Sequence, residues 1–217
     1  MHLADATPKA FLFTNHAPRQ IVSRYESISV RDCLIAVDSG LQRINELGLE
    51  PSIIIGDMDS VEGSLLAKYP QTTIIRHPAE KKETDTELAI RWAMEQGFRE
   101  IIICNDMQGR FDHAMAIVQN LLMAVDSGVQ LRVENERQQI FIIHETTTLY
   151  GHEGHTLSLI PLSDKVEFVN SLGLKYSLYR LCISKEQSRG ISNEIEAEEA
   201  RIEVQSGVAL AIITLSN

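Results

Sequence analysis

The chain has 217 residues, 44% of them hydrophobic and 23% charged, a balance that suits one large or two small packed cores and excludes disorder as its default state. Lys and Arg number 20 against 30 Asp and Glu, and the net charge of −10, with no basic run to override it, excludes nonspecific binding to nucleic acid. A polyanionic substrate would need a cation to meet it on such a surface. No apolar stretch reaches the roughly 18 residues that span a bilayer. The start, Met1-His2-Leu3-Ala4-Asp5, lacks the basic-then-apolar order of a leader, so a cytoplasmic chain with no membrane partner is expected. Cys33, Cys104 and Cys182 lie far apart and support neither a disulfide framework nor a CxxC metal site.

From about Lys9 to Asn135, short β-branched runs alternate with helical patterns. The runs are Ala10–Phe13, Leu34–Val37, Ile53–Ile55, Thr73–Ile75, Ile101–Cys104 and Val129–Val133. Between them, Thr86–Gln96 carries Leu88, Ala89, Trp92 and Ala93 at helical spacing, which places Trp92 in the core, and Ala114–Ala124 repeats the pattern. Such alternation predicts a Rossmann-like parallel sheet flanked by helices. From Gln138 onward the period changes to two, in Ile140 and Ile142, Leu157 and Leu159, Val166 and Phe168, Ile202 and Val204, and Val208, Leu210 and Ile212. Turn glycines punctuate this half, which predicts an antiparallel β-sandwich or barrel. The fold class is therefore α/β plus all-β, with an α/β domain over residues 1–136 and a β-rich domain over 137–217.

Ligands of an open parallel sheet bind beyond the carboxyl ends of its strands. Acids gather there: Asp38 after the second run, Asp57 and Asp59 after the third, Asp85 in the connection after the fourth, and Asp106 and Asp112 after the fifth. Carboxylates converging on one crevice repel one another unless a cation sits among them, and an all-oxygen donor set suits Mg²⁺. Asp57 and Asp59, one residue apart between Gly56 and Ser60, can reach the same metal. The bare pair is equally compatible with solvated loop acids, or with Asp59 or Ser60 capping a helix that begins near Val61. Thr84 with Glu87 fits a capping box, and the free N–H groups of that helix end would favour phosphate as well. In Gly109-Arg110-Phe111-Asp112-His113, Arg110 could clamp phosphate with Asp112 orienting it, or the two could form a surface ion pair. No P-loop, Gly-x-Gly-x-x-Gly or Gly-x-Ser-x-Gly motif is present. His152-Glu153-Gly154-His155 lies in a β-turn pattern with the wrong spacing for a zinc helix and reads as structural.

Six segments in order resemble the thiamine pyrophosphokinase family: Val37-Asp38-Ser39-Gly40, Ile55–Ser60, Glu83–Ala89, Gly109–His113, Gly173-Leu174-Lys175-Tyr176 and Ser188–Glu194. The resemblance covers the chain from Leu34 to its end. It implies transfer of a diphosphate from ATP to the hydroxyl of thiamine, giving thiamine diphosphate and AMP, in a homodimer whose β domain contributes to the thiamine site. It also implies that Asp57, Asp59 and Asp85 hold Mg²⁺ with Asp38 nearby. Ser60, Thr84, Arg110, Asp112 and His113 would position phosphates or the attacking hydroxyl, and Ser192 and Asn193 would meet the thiamine pyrimidine. Three departures stand out: Ser39 where the family has Gly, Lys82 where an acid is usual, and Asn105-Asp106-Met107-Gln108-Gly109 where a Gly-rich turn is usual. They keep two alternatives open, a related pyrophosphokinase with another acceptor and a noncatalytic protein that binds thiamine or its diphosphate.

Overall fold

The computed structural model describes residues 7–19, 28–78 and 80–216, so the opening segment Met1–Asp5 lies outside the described residues. The chain forms two compact units, residues 1–136 and 137–217. The described residues of the first contain six strands, β1 (Ala10–Phe13), β2 (Cys33–Val37), β3 (Ile53–Gly56), β4 (Thr73–Arg76), β5 (Glu100–Cys104) and β6 (Gln130–Glu134). All pair in parallel, in the spatial order β6-β5-β1-β2-β3-β4. The chain winds outward from β1 to β4 and then crosses back to place β5 on the other side of β1. The strand order therefore reverses between β1 and β5, which is where a doubly wound sheet opens its crevice.

Strands β1 and β3 are buried along their whole length and β4, at the edge, is only partly covered. That difference explains why the first two read as continuous apolar runs while β4 begins in Thr73 and ends in Arg76. Among the described residues the connections carry four helices, α1 (Gly40–Glu46), α2 (Gly63–Leu66), α3 (Asp85–Glu95) and α4 (Phe111–Asn120), the last continued by a 3-10 turn over Leu121–Ala124. Leu41 and Ile44 of α1 pack with Phe11, Phe13, Ala36 and Ile102 in the core. Two helix expectations need correction. Helix α2 starts later than Val61, its N-cap is Glu62 without a side-chain bond, and neither Asp59 nor Ser60 caps it. On α3 the buried side chains are Ala89, Ile90 and Ala93, while Leu88 and Trp92 are half-buried. A helix laid on strands β1 to β3 brings small side chains closest to the sheet and leaves the indole at the margin of the core.

The second unit is a sandwich of two antiparallel sheets. One has the order β12-β9-β14-β7, from β12 (Asn193–Glu194), β9 (Thr156–Pro161), β14 (Ala209–Thr214) and β7 (Gln138–Ile143). The other has the order β11-β10-β13-β8, from β11 (Cys182–Ser184), β10 (Lys165–Leu172), β13 (Glu199–Ser206) and β8 (Thr147–Tyr150). Leu157, Leu159, Ala211 and Ile213 of the first meet Val166, Phe168, Ile183 and Ile202 of the second. The alternation held for β9, but on β14 the sandwich core takes Ala209, Ala211 and Ile213, in the opposite phase to the expected Val208, Leu210 and Ile212. The apolar run Ala209–Ile213 carries no phase of its own; pairing with β7 and β9 decides which side faces the core.

His155 has a structural role. His155 is buried and its Nδ1 accepts from the Ser216 N–H at 3.1 Å, while the Ser216 hydroxyl donates to the Gly154 carbonyl at 2.8 Å, which ties the turn to the end of the chain. Among the described residues, no helix is long and apolar enough to cross a membrane. Phe168 is among the largest fully buried side chains of the second unit. Phe168→Ala is expected to cost about 3–5 kcal/mol, read by urea denaturation, and a loss below about 1 kcal/mol would contradict this account of the sandwich core.

Candidate active site

The carboxyl ends of β1, β2 and β5, together with the start of α3 and the first turns of α4, line a cleft of about 590 Å³. Its walls include Thr14, Asn15 and His16 after β1, Asp38 and Ser39 after β2, Ser60 after β3, Thr84 and Asp85 at α3, and Asn105, Gln108, Arg110 and His113 after β5. A buried polar network organises the floor at the switch point. The Thr14 hydroxyl donates to the Cys104 carbonyl at 3.1 Å and accepts from Asn105 Nδ2 at 2.7 Å. Asn105 Oδ1 in turn accepts from the Met107 N–H at 2.6 Å, and Asn135 Nδ2 donates to the Asn105 carbonyl at 3.1 Å. The His16 carbonyl accepts from the Asp106 N–H at 2.7 Å. These bonds tie the loop after β1 to the loop after β5, and because they are buried each partner is costly to remove.

This network answers the shortage of glycines in residues 105–108. Met107 adopts a left-handed φ of 55°, and the Asn105 side chain accepts its N–H, stabilising a turn that glycine would otherwise supply. Gly109 is the one place where the loop needs to lack a side chain: its φ is +82°, and a Cβ there would lie 2.4 Å from His16 Nε2. Ser39 is likewise accommodated, since its hydroxyl donates to Asn15 Oδ1 at 2.8 Å and links the loops after β1 and β2.

The acids after β2 and β3 form one electrostatic cluster with Asp85. Asp38 has a left-handed φ of 47° and sits against Gly56, whose absent Cβ would otherwise stand 1.7 Å from Asp38 Oδ1. That oxygen is buried without a hydrogen-bond partner. Burial above all, then the charges of Asp85 and Asp57 and a hydrogen bond with Asp85, push the Asp38 carboxyl up to about 7, against a weaker opposing bond from the Met58 backbone. In the following loop Asp57 Oδ1 accepts the Asp59 N–H at 3.0 Å, which holds Asp57 below the ordinary range. Its hydrogen bond and charge push Asp59 up. Asp85 is the first residue of α3 and accepts from Lys81 Nζ at 2.6 Å; Thr84 caps the helix by accepting the Glu87 N–H at 3.1 Å. Glu87 pairs with Arg91 at 2.8 Å.

Across the cleft, Arg110 is the N-cap residue of α4 and grips Asp112 with two bonds of 3.1 and 2.5 Å. The pair is exposed; the arginine holds Asp112 low, and Asp112 Oδ1 also accepts the His113 N–H at 3.0 Å. Among the described residues, no three His, Cys, Asp or Glu side chains stand as a preassembled metal cage. The donors that are present still fit Mg²⁺: all are carboxylates, one oxygen is buried and unpartnered, and magnesium takes one or two protein carboxylates and completes its shell with water and phosphate.

Ser192 and Asn193 belong to the second unit. Ser192 is exposed with a φ of 60°, and its N–H donates to Ser158 Oγ at 3.1 Å. Asn193 is buried and its amide is spent on the chain: Oδ1 accepts from Tyr176 N–H at 3.0 Å and Glu194 N–H at 2.9 Å, and Nδ2 donates to the Tyr176 carbonyl at 2.7 Å. Asn193 thus holds Tyr176, which is exposed, rather than offering its own amide to solvent. The sequence reading missed Thr14, Asn15, His16, Asn105 and Lys81. The signal for the first three was the end of β1, passed over because it carries no acid.

A parallel sheet whose switch-point cleft gathers acids, an arginine and a helix N-terminus defines an α/β protein of the phosphate-handling class. The family model described as the catalytic domain of thiamin pyrophosphokinase matches residues 26–133, and the one described as its vitamin B1 binding domain matches residues 139–209. The chain is 25% identical over 231 residues to thiamin pyrophosphokinase 1 of Caenorhabditis elegans, covering 97% of this chain and 91% of that protein. It is 27% identical over 182 residues to thiamine pyrophosphokinase of Bacillus subtilis, covering 82% and 85%. The crystal structure of thiamine pyrophosphokinase from Bacillus subtilis superposes with a TM-score of 0.85 at 21% identity, over 96% of this chain and all of that one, a likeness of fold. The chain belongs to the thiamin pyrophosphokinase family, whose members are transferases of the pyrophosphokinase type with ATP as co-substrate.

Two predictions follow from the acid cluster. Asp38 binds its proton more tightly folded than unfolded, so between its ordinary carboxylate range and about 7 the folded chain carries the extra proton. Its contribution to stability is then present at low pH and lost as pH rises towards 7. Melting of the metal-free chain between pH 4 and 7 should show this decline, and Asp38→Asn should flatten it; an unchanged slope would refute the assignment. Gly56→Ala forces Asp38 aside and is expected to destabilise by about 1–3 kcal/mol with a marked loss of turnover. Wild-type stability and rate in that variant would show the contact to be dispensable.

Proposed function

We propose that this chain transfers a diphosphate from ATP to the hydroxyl of thiamine in the cleft after β1, β2, β3 and β5, and that the β-sandwich unit carries the thiamine-binding surface. The observation that carries the reading is the meeting of Asp38, Asp85, Thr84 and Arg110 around one cleft in a chain matched by both domain models of the family. Asp57, Asp59 and Asp85 would hold Mg²⁺ with Asp38 beside them, and the bound cation would neutralise the polyphosphate and draw charge from the reacting phosphorus.

The chain's own residues do the positioning. The α3 N-terminus, with Thr84 as its cap, offers N–H groups and a positive dipole end to phosphate oxygens. Arg110 is fixed by Asp112 in a planar, bidentate pose, so it can turn its remaining N–H groups to a phosphate without searching rotamers. Ser60 and His113 line the same cleft and complete the polar wall. The thiamine hydroxyl oxygen attacks the β-phosphorus and releases its proton to water; the bond from that phosphorus to the oxygen shared with the α-phosphate breaks, and AMP leaves with that oxygen. In-line placement of the two substrates accounts for most of the rate, as in phosphoryl transfer generally. On the sandwich, Ser192 and the Tyr176 loop held by Asn193 supply the contacts for the thiamine pyrimidine. The reading extends to a cytoplasmic homodimer, supported by the family resemblance.

Asp59→Asn is expected to lower AMP release with ATP, Mg²⁺ and thiamine by about 10²-fold or more while leaving thiamine binding by calorimetry intact. Near wild-type turnover would sink the metal assignment. Thiamine binding by the wild type without AMP release would sink the catalytic reading, and absence of both would remove thiamine as the substrate.

A further inference from the structure

We propose that Lys81 is the resident counter-ion of the acidic cleft: its ammonium holds Asp85 in the free chain and is exchanged onto the polyphosphate when the metal-bound nucleotide arrives. The proposal rests on the reading of Asp57, Asp59 and Asp85 as metal ligands.

Lys81 Nζ lies 2.6 Å from Asp85 Oδ1, and the two side chains are only 12% and 16% exposed, unlike most ion pairs of this protein. A pair so little exposed is weakly screened, and stripping either partner leaves a costly charge behind. The spacing is i, i+4, yet Lys81 is not on the helix, which begins at Asp85 itself. The pair forms across residues 81–84, which precede the helix and form no helix or strand of their own. Lysine at a helix N-terminus opposes the dipole, so the carboxylates rather than the helix hold it there. The ammonium serves more than one of them: its charge also helps to keep Asp57 low, and Asp85 is itself hydrogen-bonded to Asp38. Lys82, which stands where the family usually has an acid, is exposed.

A divalent cation that takes Asp85 either displaces this ammonium from Oδ1 or binds beside it against its repulsion. Free metal therefore binds against a competitor already in place. When the metal comes with a polyphosphate, the displaced ammonium gains a new anion, and the exchange leaves no charge unpaired. Metal and nucleotide binding are then coupled through Lys81, and by linkage each strengthens the other.

The test uses the full chain and Mn²⁺, with free Mn²⁺ read by electron paramagnetic resonance. Without nucleotide, Lys81→Met should tighten Mn²⁺ binding by about tenfold, a typical size for such coupling, whereas Lys81→Arg should leave it as weak as in the wild type. With Mn²⁺ present, Lys81→Met should weaken binding of a non-hydrolysable ATP analogue by a similar factor in calorimetry. Lys81→Gln serves in place of Lys81→Met if the latter fails to fold by thermal melting. Equal Mn²⁺ affinity in the wild type and Lys81→Met, or a weaker one in the variant, overturns the counter-ion role while leaving the metal site standing. No saturable Mn²⁺ binding to either, with or without the analogue, or binding that Asp59→Asn and Asp85→Asn do not change, overturns the metal assignment and this proposal with it.

Discussion

The repulsion among carboxylates brought to one edge of a parallel sheet is the constraint on which the rest of the first unit depends. Strand pairing places Asp38 and the Asp57–Asp59 loop side by side, since Val37 is in register with Ile55, and α3 delivers Asp85 to the same place. The chain relieves the crowding in several local ways. Asp38 keeps its proton to about 7, Asp57 takes a backbone N–H, and Asp85 takes an ammonium. Together these arrangements keep the crowded acids in place at the sheet edge.

The cleft also needs a rigid floor, and the buried network of Thr14, Asn105 and Asn135 provides it at the point where strand order reverses. A polar cluster in a core is costly unless every member is satisfied, which explains why these side chains bond to one another and to strand-end carbonyls. Its effect is to hold the loops after β1 and β5 in fixed relation, so that His16, Gly109 and Arg110 keep their places around the cleft. The second unit uses the same device on a smaller scale: a buried asparagine, Asn193, fastens the loop that displays Tyr176.

Much of the architecture was legible in the sequence because it rests on periodicity. Six β-branched runs became six parallel strands, and the change to period two marked the sandwich. The acids after the strands were legible for the same reason, since a parallel sheet fixes where its carboxyl ends lie. Thr84 as a cap was visible because capping is local. Periodicity failed where it carries no phase, as on the apolar run Ala209–Ile213 of β14, and where side-chain size decides contact, as with Trp92 and the alanines of α3.

The sequence by itself determined which residue types reach the sheet edge and how the two halves differ. Those properties follow from short-range spacing and from the family motifs. Only the tertiary structure decided that Lys81 rather than Lys82 meets Asp85, that Asn105 ties β1 to β5, that Gly56 makes room for Asp38, and that Asn193 supports Tyr176. These contacts join residues through turns and across strands far apart in the chain, and their geometry depends on backbone paths that no local pattern encodes. The Gly56-Asp57-Met58-Asp59-Ser60 loop shows both sides: its acids could be read directly, but their opposite proton affinities arise from the fold of the loop.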